Sequence, residues 1–438
     1  MKQMSRRYFM MGSAAAVGMA ARRAKARTVS PNEKLNVAGI GVGGMGNHDV
    51  DNVGRTENIV ALCDVDDAHA AKCFDKYPNA KKYRDYRVMF DKQKDIDAVI
   101  IAVPDHQHAF VTMAALQLGK HVYCEKPLTH SIAEARTVAE AARKAGVATQ
   151  MGNQGQASEE ARVLCELIWD GAIGNVREVH GWSNRNPAIC RRGMGRPEGS
   201  TPVPGTLEWD LWLGPAPDRP YVAQVYQPFV WRGWWDFGTG VLGDIGCHNF
   251  SAIFKALKLG APSSVEAVST HSQCPPEVIR ESAPVASIVK YQFPADGDRP
   301  ALTITWYDGG MMPWRPEELD PERKMGGGDG MLYVGDKGKI LDHRLIPEAR
   351  MKEYGAPPKV LTRSPGHYAE WINACKGGEP AGSNFDHAGP LTEAVLLGNI
   401  AIRTGKKVEW DSATMTVTNN PEANAFVNPP YRDGWSLG

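Results

Sequence analysis

Lys126, Asp244 and His248 carry side chains suited to oxidising an alcohol. Such an oxidation needs a base for the hydroxyl proton and an acceptor for the hydride. Asp244 and His248 are four residues apart, which on a helix places them on one face. A carboxylate can orient an imidazole, and imidazole titrates near neutrality, which suits it for proton abstraction. The ammonium of Lys126 could bind the substrate oxygen and stabilise the developing alkoxide.

The hydride acceptor is indicated by the stretch Gly41–Gly46, which fits the pattern G-x-G-x-x-G. In such a loop the glycines permit a tight turn, the approach of a pyrophosphate to the backbone, and close packing of helix on strand. Asp64 lies 18 residues beyond Gly46, close to the spacing of about 20 for a carboxylate that binds the adenosine ribose diol. A carboxylate there would repel a 2′-phosphate, so the pattern predicts NAD rather than NADP as the cofactor.

The stretch Pro104–His108 reads Pro-Asp-His-Gln-His and follows a strand-like run. In an open parallel sheet, ligands bind at the carboxyl ends of the strands. His108 is expected to cap the following helix or to lie near the cofactor, and His106 is expected to be exposed. Two histidines in this spacing can suggest a metal, but no cluster of carboxylates or thiols accompanies them, so no metal site is predicted.

The elements that must position these residues alternate between strands and helices from Lys34 to Met151. The pattern predicts a parallel sheet covered by helices on both faces. Its clearest helix is Ser131–Ala145, with a capping box formed by Ser131 and Glu134 and with Gly146 at its end. The predicted strands are Leu35–Val42, Asn58–Asp64, Ile96–Val103, His121–Cys124 and Val147–Met151.

The motif Glu125-Lys126-Pro127 completes a set that resembles the glucose-fructose oxidoreductase / inositol dehydrogenase / rhizopine catabolism family. Members of that family carry the glycine motif, an acidic end to the second strand, a Pro-Asx-x-x-His loop, Glu-Lys-Pro and Asp-x-x-x-His. The resemblance covers nearly all of the chain beyond its N-terminal segment. It implies that His248 is the acid/base and that Lys126 and Asp244 position the substrate.

The predicted fold class is therefore α/β, with an N-terminal Rossmann domain and a C-terminal α+β domain whose open sheet is mostly antiparallel. The family's open sheet face often builds dimers or tetramers, so a homo-oligomer is expected. Residues 34–151 are assigned to NAD binding and residues 152–438 to substrate binding and oligomerisation. The predicted cofactor-binding residues are Gly41, Gly43, Met45, Gly46, Asp64, Pro104, His108 and Glu125.

The second half holds all 12 tryptophans, and five of them fall between Trp209 and Trp235. Sugar rings stack on indole through their C–H faces while their hydroxyls need polar partners. The alternative is that these tryptophans pack the core or a subunit contact. The stretch Ile189–Tyr221, dense in Gly, Pro and Arg, is expected to be a long loop that covers the site or reaches a neighbour. The predicted substrate residues are Asn184, Arg185, Arg232, Trp234, Trp235 and Asp236.

The composition excludes several other classes of protein. The 50 basic and 50 acidic residues balance, which gives no electrostatic case for a nucleic-acid partner. The hydrophobic fraction of 42% and charged fraction of 23% are those of a globular chain. Eight cysteines in 438 residues do not make a disulfide scaffold; most are expected to be small buried apolar groups.

The first 26 residues read as a targeting segment. Arg6-Arg7 precede a short apolar run, and Ala24-Lys25-Ala26 has the small-x-small form of a cleavage site. Paired arginines in this position resemble a twin-arginine export signal, which predicts export to the periplasm by the twin-arginine machinery. That system moves proteins already folded, often with a cofactor inside. Residues 27–33 would then form a linker or arm.

Three functions are compatible with these features. The leading hypothesis is an exported NAD-dependent oxidoreductase acting on a sugar or polyol. The second is an NAD-dependent glycoside hydrolase that works by transient oxidation and elimination. The third is a sugar sensor that binds NAD without catalysis, against which the presence of Lys126, Asp244 and His248 argues.

Overall fold

The computed structural model describes residues 30, 32–185 and 193–437. The signal peptide predicted over residues 1–26 lies outside these residues, and so does most of the arm predicted over 27–33. Within the described ranges, no helix is both long and apolar enough to cross a membrane.

The first sheet has six parallel strands in the order β3-β2-β1-β4-β5-β6. Its strands are β1 (Asn36–Ile40), β2 (Asn58–Cys63), β3 (Lys81–Tyr83), β4 (Ala98–Ile101), β5 (His121–Cys124) and β6 (Thr149–Met151). The helices that connect them are α1 (Gly44–Val53), α2 (Asp67–Lys76), α3 (Tyr86–Lys92), α4 (Asp105–Gln117) and α5 (Ile132–Ala145). This order is that of a doubly wound dinucleotide-binding fold.

The apolar runs form these strands because helices bury them on both faces. Every residue of β4 and β5 is buried, as expected for central strands of a parallel sheet. The five strands predicted from sequence are confirmed, with ends trimmed by one to two residues in most cases. Sequence reasoning missed β3, a three-residue edge strand with two exposed lysines; charged, short edges of this kind resist pairing with other chains.

Local signals at α5 behave as predicted. The Ser131 hydroxyl accepts a hydrogen bond from the Glu134 amide at 3.3 Å, and the Glu134 carboxylate accepts one from the Ser131 amide at 2.9 Å. Gly146 ends the helix in the left-handed conformation with φ 63°. The helix begins at Ile132, five residues after Pro127 of the Glu-Lys-Pro motif.

The second sheet has nine strands in the order β13-β12-β11-β7-β10-β9-β8-β14-β15. All its neighbours are antiparallel except β7 and β10, which are parallel. The predicted fold class, a Rossmann domain followed by an α+β domain with a mostly antiparallel sheet, is confirmed. The strands are β7 (Val176–Trp182), β8 (Ser264–Ser269), β9 (Ser287–Phe293), β10 (Leu302–Tyr307), β11 (Gly330–Gly335), β12 (Lys339–Leu341), β13 (Arg344–Ile346), β14 (Val408–Asp411) and β15 (Thr416–Val417).

Some helices of the second half pack against the first domain. Their bounds are α6 (Glu159–Trp169), α7 (Trp209–Leu213), α8 (Cys247–Leu257), α9 (Pro276–Glu281), α10 (Glu348–Tyr354), α11 (His367–Cys375), α12 (Phe385–Thr404) and α13 (Asn424–Val427). Helix α11 places Trp371 in the same apolar core as β1 and α1, and α12 packs against α5. The two sheets are thus joined by a shared core.

Candidate active site

A cavity of about 490 Å³ lies at the carboxyl edge of the first sheet. Residues of the glycine loop and the ends of β2 and β4 form one wall. Its other wall comes from the second half of the chain. The lining includes Gly41, Gly43, Met45, Asp64, Val65, His69, Arg84, Pro104, Trp212, Gln227, Pro228, Phe229, Trp231 and Arg232.

The glycine loop has the geometry that the motif requires. Gly41 has φ +76°, a conformation that favours glycine. A Cβ atom on Gly43 would lie 2.0 Å from the His69 ring, and one on Gly46 would lie 1.9 Å from the carbonyl oxygen of Gly41. Backbone is therefore exposed to the cavity where a pyrophosphate would approach, at the beginning of α1.

Asp64 follows β2 and lines the same cavity. One carboxylate oxygen accepts hydrogen bonds from the amides of Val42 and Gly43 at 2.8 and 3.1 Å, and the other accepts one from Asp66 at 3.0 Å. Burial raises the pKa of Asp64, and these amides act in the opposite direction. Asp64 thus holds the backbone of the glycine loop. Its contact with a ribose diol stays a prediction.

Lys126 and Asp244 meet directly, although 118 residues separate them. The Lys126 ammonium donates hydrogen bonds to the Asp244 carboxylate at 2.5 Å and to its backbone carbonyl at 3.0 Å. The same carboxylate oxygen accepts a hydrogen bond from Arg232 Nε at 3.1 Å. One carboxylate is therefore held between two cations, and one of those cations, Arg232, also lines the cavity.

The opposite charges of Lys126 and Asp244 stabilise each other. Burial disfavours the charge of Asp244, yet the Lys126 ammonium and the Arg232 guanidinium hold the pKa of that carboxyl well below its usual range. Burial also disfavours the charge of Lys126, but the Asp244 carboxylate raises its pKa above the ordinary value. Lys126 and Asp244 are thus both charged at neutral pH.

His248 lies one turn beyond Asp244, at the start of α8, and is half-buried. Asp244 itself lies in a π-helical turn, Leu242–Gly246, that runs into α8. Burial and the neighbouring Lys126 ammonium lower the pKa of His248 to about 3. The imidazole is therefore neutral at neutral pH and able to accept a proton.

The structure corrects the prediction for one of the two histidines of this loop. His106 was expected to be exposed, but its ring is buried between the carbonyl oxygens of Phe237 and Trp212, at 3.2 and 3.1 Å. The reason is that the segment around α7 folds over this loop. His108 was expected to cap the helix or to lie near the cofactor. Its ring lies 2.6 Å from the Pro127 carbonyl oxygen and 2.8 Å from that of Val103, which lines the cavity, so a place near the cofactor stays a prediction.

Glu125, predicted as a cofactor-binding residue, is not among the residues that line the cavity, and its contact with the cofactor stays a prediction. Its carboxylate accepts hydrogen bonds from Gln154 Nε2 at 2.9 Å, the Tyr123 hydroxyl at 3.4 Å and the Lys126 amide at 3.2 Å. Burial raises the pKa of Glu125. The contact with the Lys126 amide makes Glu125 a support for the backbone of Lys126.

Of the predicted substrate residues, Arg232 lies beside the cavity and the tryptophan pair does not. Trp234 and Trp235 are 1% and 3% exposed, and their indole N–H groups donate to the carbonyls of Val225 and Ile279. Both therefore pack the core, which corrects that prediction.

Asp236 is directed elsewhere as well, since its carboxylate pairs with Arg219. Asn184 and Arg185 are exposed at the end of β7. Arg185 is close enough to His248 to contribute to the lowering of its pKa.

Sequence reasoning missed the residues that cover the cavity from the second half. The guanidinium carbon of Arg232 lies 4.0 Å from the centre of the Phe229 ring and 4.2 Å from the centre of the Trp231 ring. Trp212 lines the cavity and stacks on Trp209 at 4.8 Å. The sequence shows that aromatic residues cluster here, but it does not show which of their rings face the cavity.

The backbone of the glycine loop and the carboxylate of Asp64 are groups that fit NAD. The exposed backbone of the glycine loop suits a pyrophosphate, and Asp64 stands at the position of a ribose ligand. Among the described residues, no group of three His, Cys, Asp or Glu side chains is arranged to hold a metal ion.

Two family models match the chain. Residues 35–153 match GFO_IDH_MocA, described as "Oxidoreductase family, NAD-binding Rossmann fold". Residues 194–280 match the model of that family's C-terminal alpha/beta domain. The chain belongs to this oxidoreductase family. NAD is accordingly the cofactor of its first domain.

Several curated members of the oxidoreductase family are similar in sequence. Inositol 2-dehydrogenase of Salmonella typhimurium is 35% identical over 147 residues, which are 32% of this chain and 44% of that protein. Inositol 2-dehydrogenase of Rhodococcus erythropolis is 31% identical over 167 residues, 37% of this chain and 47% of that protein. The match thus spans less than half the length of these relatives.

Solved structures of similar fold align with a larger share of the chain than these sequence relatives do. The WlbA dehydrogenase of Bordetella pertussis, in complex with NADH and UDP-GlcNAcA, aligns with a TM-score of 0.60 at 16% identity, over 86% of this chain and 99% of that one. The scyllo-inositol dehydrogenase of Lactobacillus casei aligns with a TM-score of 0.58 at 16% identity, over 87% and 99%. At this identity the likeness establishes the fold.

Replacing Asp64 by serine is expected to weaken NAD binding and to reduce the preference for NAD over NADP, since a carboxylate at the ribose repels a 2′-phosphate. Asp66→Ser is the matched control, because Asp66 also lines the cavity but caps α2, and serine preserves the cap. Calorimetric titration with both dinucleotides measures the effect. Wild-type protein that binds NADP as tightly as NAD would contradict the assignment, as would a loss of discrimination in the Asp66 variant alone.

Proposed function

We propose that the protein is an exported, NAD-dependent oxidoreductase that acts on a secondary hydroxyl group of a sugar, glycoside or polyol and keeps its NAD bound between turnovers. The observation that carries the proposal is the contact of Lys126 with Asp244, one turn before a neutral His248. The proposal includes export to the periplasm by the twin-arginine machinery and assembly into a homodimer or homotetramer through the open face of the second sheet.

The chain's own residues divide the work of alcohol oxidation. Bound NAD would accept the hydride from the carbon that carries the hydroxyl. His248, neutral at the pH of the reaction, takes the hydroxyl proton. Lys126 uses two of its three N–H bonds on Asp244 and has the third for the substrate oxygen, where its charge stabilises the alkoxide. Asp244 fixes the direction of that ammonium.

The substrate class is supported by the relatives and by the rim of the cavity. The similar proteins are named for inositol, and one neighbour of similar fold was solved with a nucleotide sugar. Phe229 and Trp231 line the cavity together with Arg232, whose guanidinium lies over both rings, and Phe229 is 41% exposed. Aromatic faces suit the C–H surface of a ring, and a guanidinium suits hydroxyl oxygens as a donor.

A panel of sugars, glycosides and polyols tests the reaction, with reduced nicotinamide measured by its absorbance. Formation of reduced nicotinamide and of the corresponding ketone supports the proposal. Release of an aglycone with no net change in the redox state would indicate the NAD-dependent glycoside hydrolase instead. No change in bound NAD with any compound would favour a sensor.

Retention of NAD is expected because a freely exchanging dehydrogenase would stop after one turnover where free NAD is scarce. The segment from Gln227 to Arg232 supports retention, since it lies across the cavity from the glycine loop. Protein desalted without added cofactor and then denatured is expected to release about one NAD per chain, consistent with a dissociation constant far below the working concentration. A protein that emerges empty and releases NADH into solution at each turnover would contradict retention.

A further inference from the structure

Asp105 is a buried carboxyl group for which the proposed reaction has no use. It is the first residue of α4 and follows Pro104, which lines the cofactor cavity. The residue is buried, with an exposed fraction of 2%. One carboxylate oxygen accepts a hydrogen bond from the hydroxyl of Thr239 at 2.7 Å. Asp105 thus connects the cofactor-binding domain to a residue of the other half.

Thr239 in turn is packed tightly against the turn that carries Asp244. Its carbonyl oxygen accepts hydrogen bonds from the amide of Gly243 at 3.2 Å and from the side chain of Asn399 at 2.8 Å. A Cβ atom on Gly243 would lie 1.9 Å from the Thr239 hydroxyl oxygen, so the glycine leaves the space that this side chain fills. Thr239 is therefore in direct contact with Gly243, the residue next to Asp244.

We propose that Asp105 is a positioning residue that holds Thr239, and through it the turn bearing Asp244, against the cofactor-binding loop, and that its ionisation makes turnover dependent on pH. This inference rests on the proposed function. It concerns a residue that does not line the cofactor cavity and acts through Thr239.

The surroundings of Asp105 make its ionisation sensitive to pH in this range. The charged and titratable groups that face it are Lys126, Arg232, Asp244 and the thiols of Cys124 and Cys247. Burial raises the pKa of Asp105 to about 7, and the Thr239 hydrogen bond and the Arg232 charge act in the opposite direction. His248 is neutral throughout this range, so it does not mask the transition.

Ionised Asp105 accepts the stronger, charge-assisted hydrogen bond from Thr239. We therefore expect kcat of the holoenzyme to fall as the pH drops through about 7, because the protonated carboxyl holds the turn less firmly. Asp105→Asn keeps an acceptor but cannot ionise. The kcat of this variant is expected to show no inflection with pH. At high pH it is expected to be lower than the wild-type kcat by up to about 100-fold, which is the effect of misplacing a catalytic group by about 1 Å.

A second variant separates positioning from a general loss of packing. Thr239→Val keeps the shape of the side chain but removes the hydroxyl that lowers the pKa of Asp105. Its kcat inflection is expected to disappear, because Asp105 then has no hydroxyl group through which to act on the turn. The matched control is Glu134→Gln, since Glu134 is another buried carboxyl whose pKa burial raises to about 7. Glutamine maintains the capping box, so this control is expected to keep the wild-type pH profile.

Melting temperatures provide a readout that does not need turnover. The folded protein raises the pKa of Asp105, so its contribution to stability is full below the unfolded value of about 4 and is lost as the pH rises through about 7. The melting temperature of Asp105→Asn, relative to wild type, should therefore increase from about pH 5 to about pH 8.5.

An inflection in kcat that survives in Asp105→Asn or in Thr239→Val would overturn the inference, as would a constant difference in melting temperature. If no sugar or polyol is oxidised at all, the proposed function fails, and the melting temperatures still decide whether Asp105 ionises near neutrality.

Discussion

His248→Ala is expected to lower kcat for alcohol oxidation by roughly 10²–10⁴, the usual contribution of a positioned acid or base. The reason is that the neutral imidazole one turn beyond Asp244 is the group placed to take the hydroxyl proton. Steady-state rates with the best substrate of the panel, together with calorimetry for NAD, measure the two effects separately.

NAD affinity should survive in this variant because His248 does not line the cofactor cavity. His343→Ala serves as a control, since His343 lies in the turn between β12 and β13. Turnover near the wild-type rate in His248→Ala would remove this residue from the mechanism.

Lys126→Met is expected to lower kcat by roughly 10²–10³, the scale observed when a donor to a developing oxyanion is removed. Methionine keeps the length and apolar stem of lysine but lacks the ammonium. The Asp244 carboxylate would then keep only Arg232 as a cationic partner, and its pKa would rise toward the usual range. The deficit should therefore grow as the pH falls.

A pH series of kcat and KM for wild type, Lys126→Met and the exposed control Lys94→Met tests this expectation. An equal loss in both lysine variants would point to a general effect of removing charge. A rise in KM with unchanged kcat would place Lys126 in ground-state binding only.

The first domain could be predicted from sequence because its strands are short apolar runs that a parallel sheet buries on both faces. The contact of Lys126 with Asp244 followed from motifs rather than from spacing, since 118 residues lie between them. A motif identifies such residues because the chemistry needs them together. It does not give their distances or their charges.

The sequence did not reveal which aromatic residues face the cavity. A 3₁₀ turn from Val230 to Gly233 directs Trp231 and Arg232 toward the cavity, while Trp234 and Trp235 enter the core. Two or three residues of irregular backbone decide this, and no periodicity encodes them. His106 was misplaced for a related reason, since its burial depends on a segment more than 100 residues away.

The shared core has a consequence for the timing of synthesis. Trp371 completes the packing beneath β1 and α1, and α12 covers α5. In a nascent chain that ends before residue 367 these apolar surfaces lack their partners, so we expect the cofactor domain to complete its packing only with the finished chain. NAD loading is then expected after synthesis is complete. A truncated protein is expected to be recognised by proteases as unfolded rather than to persist as an independent dinucleotide-binding fragment.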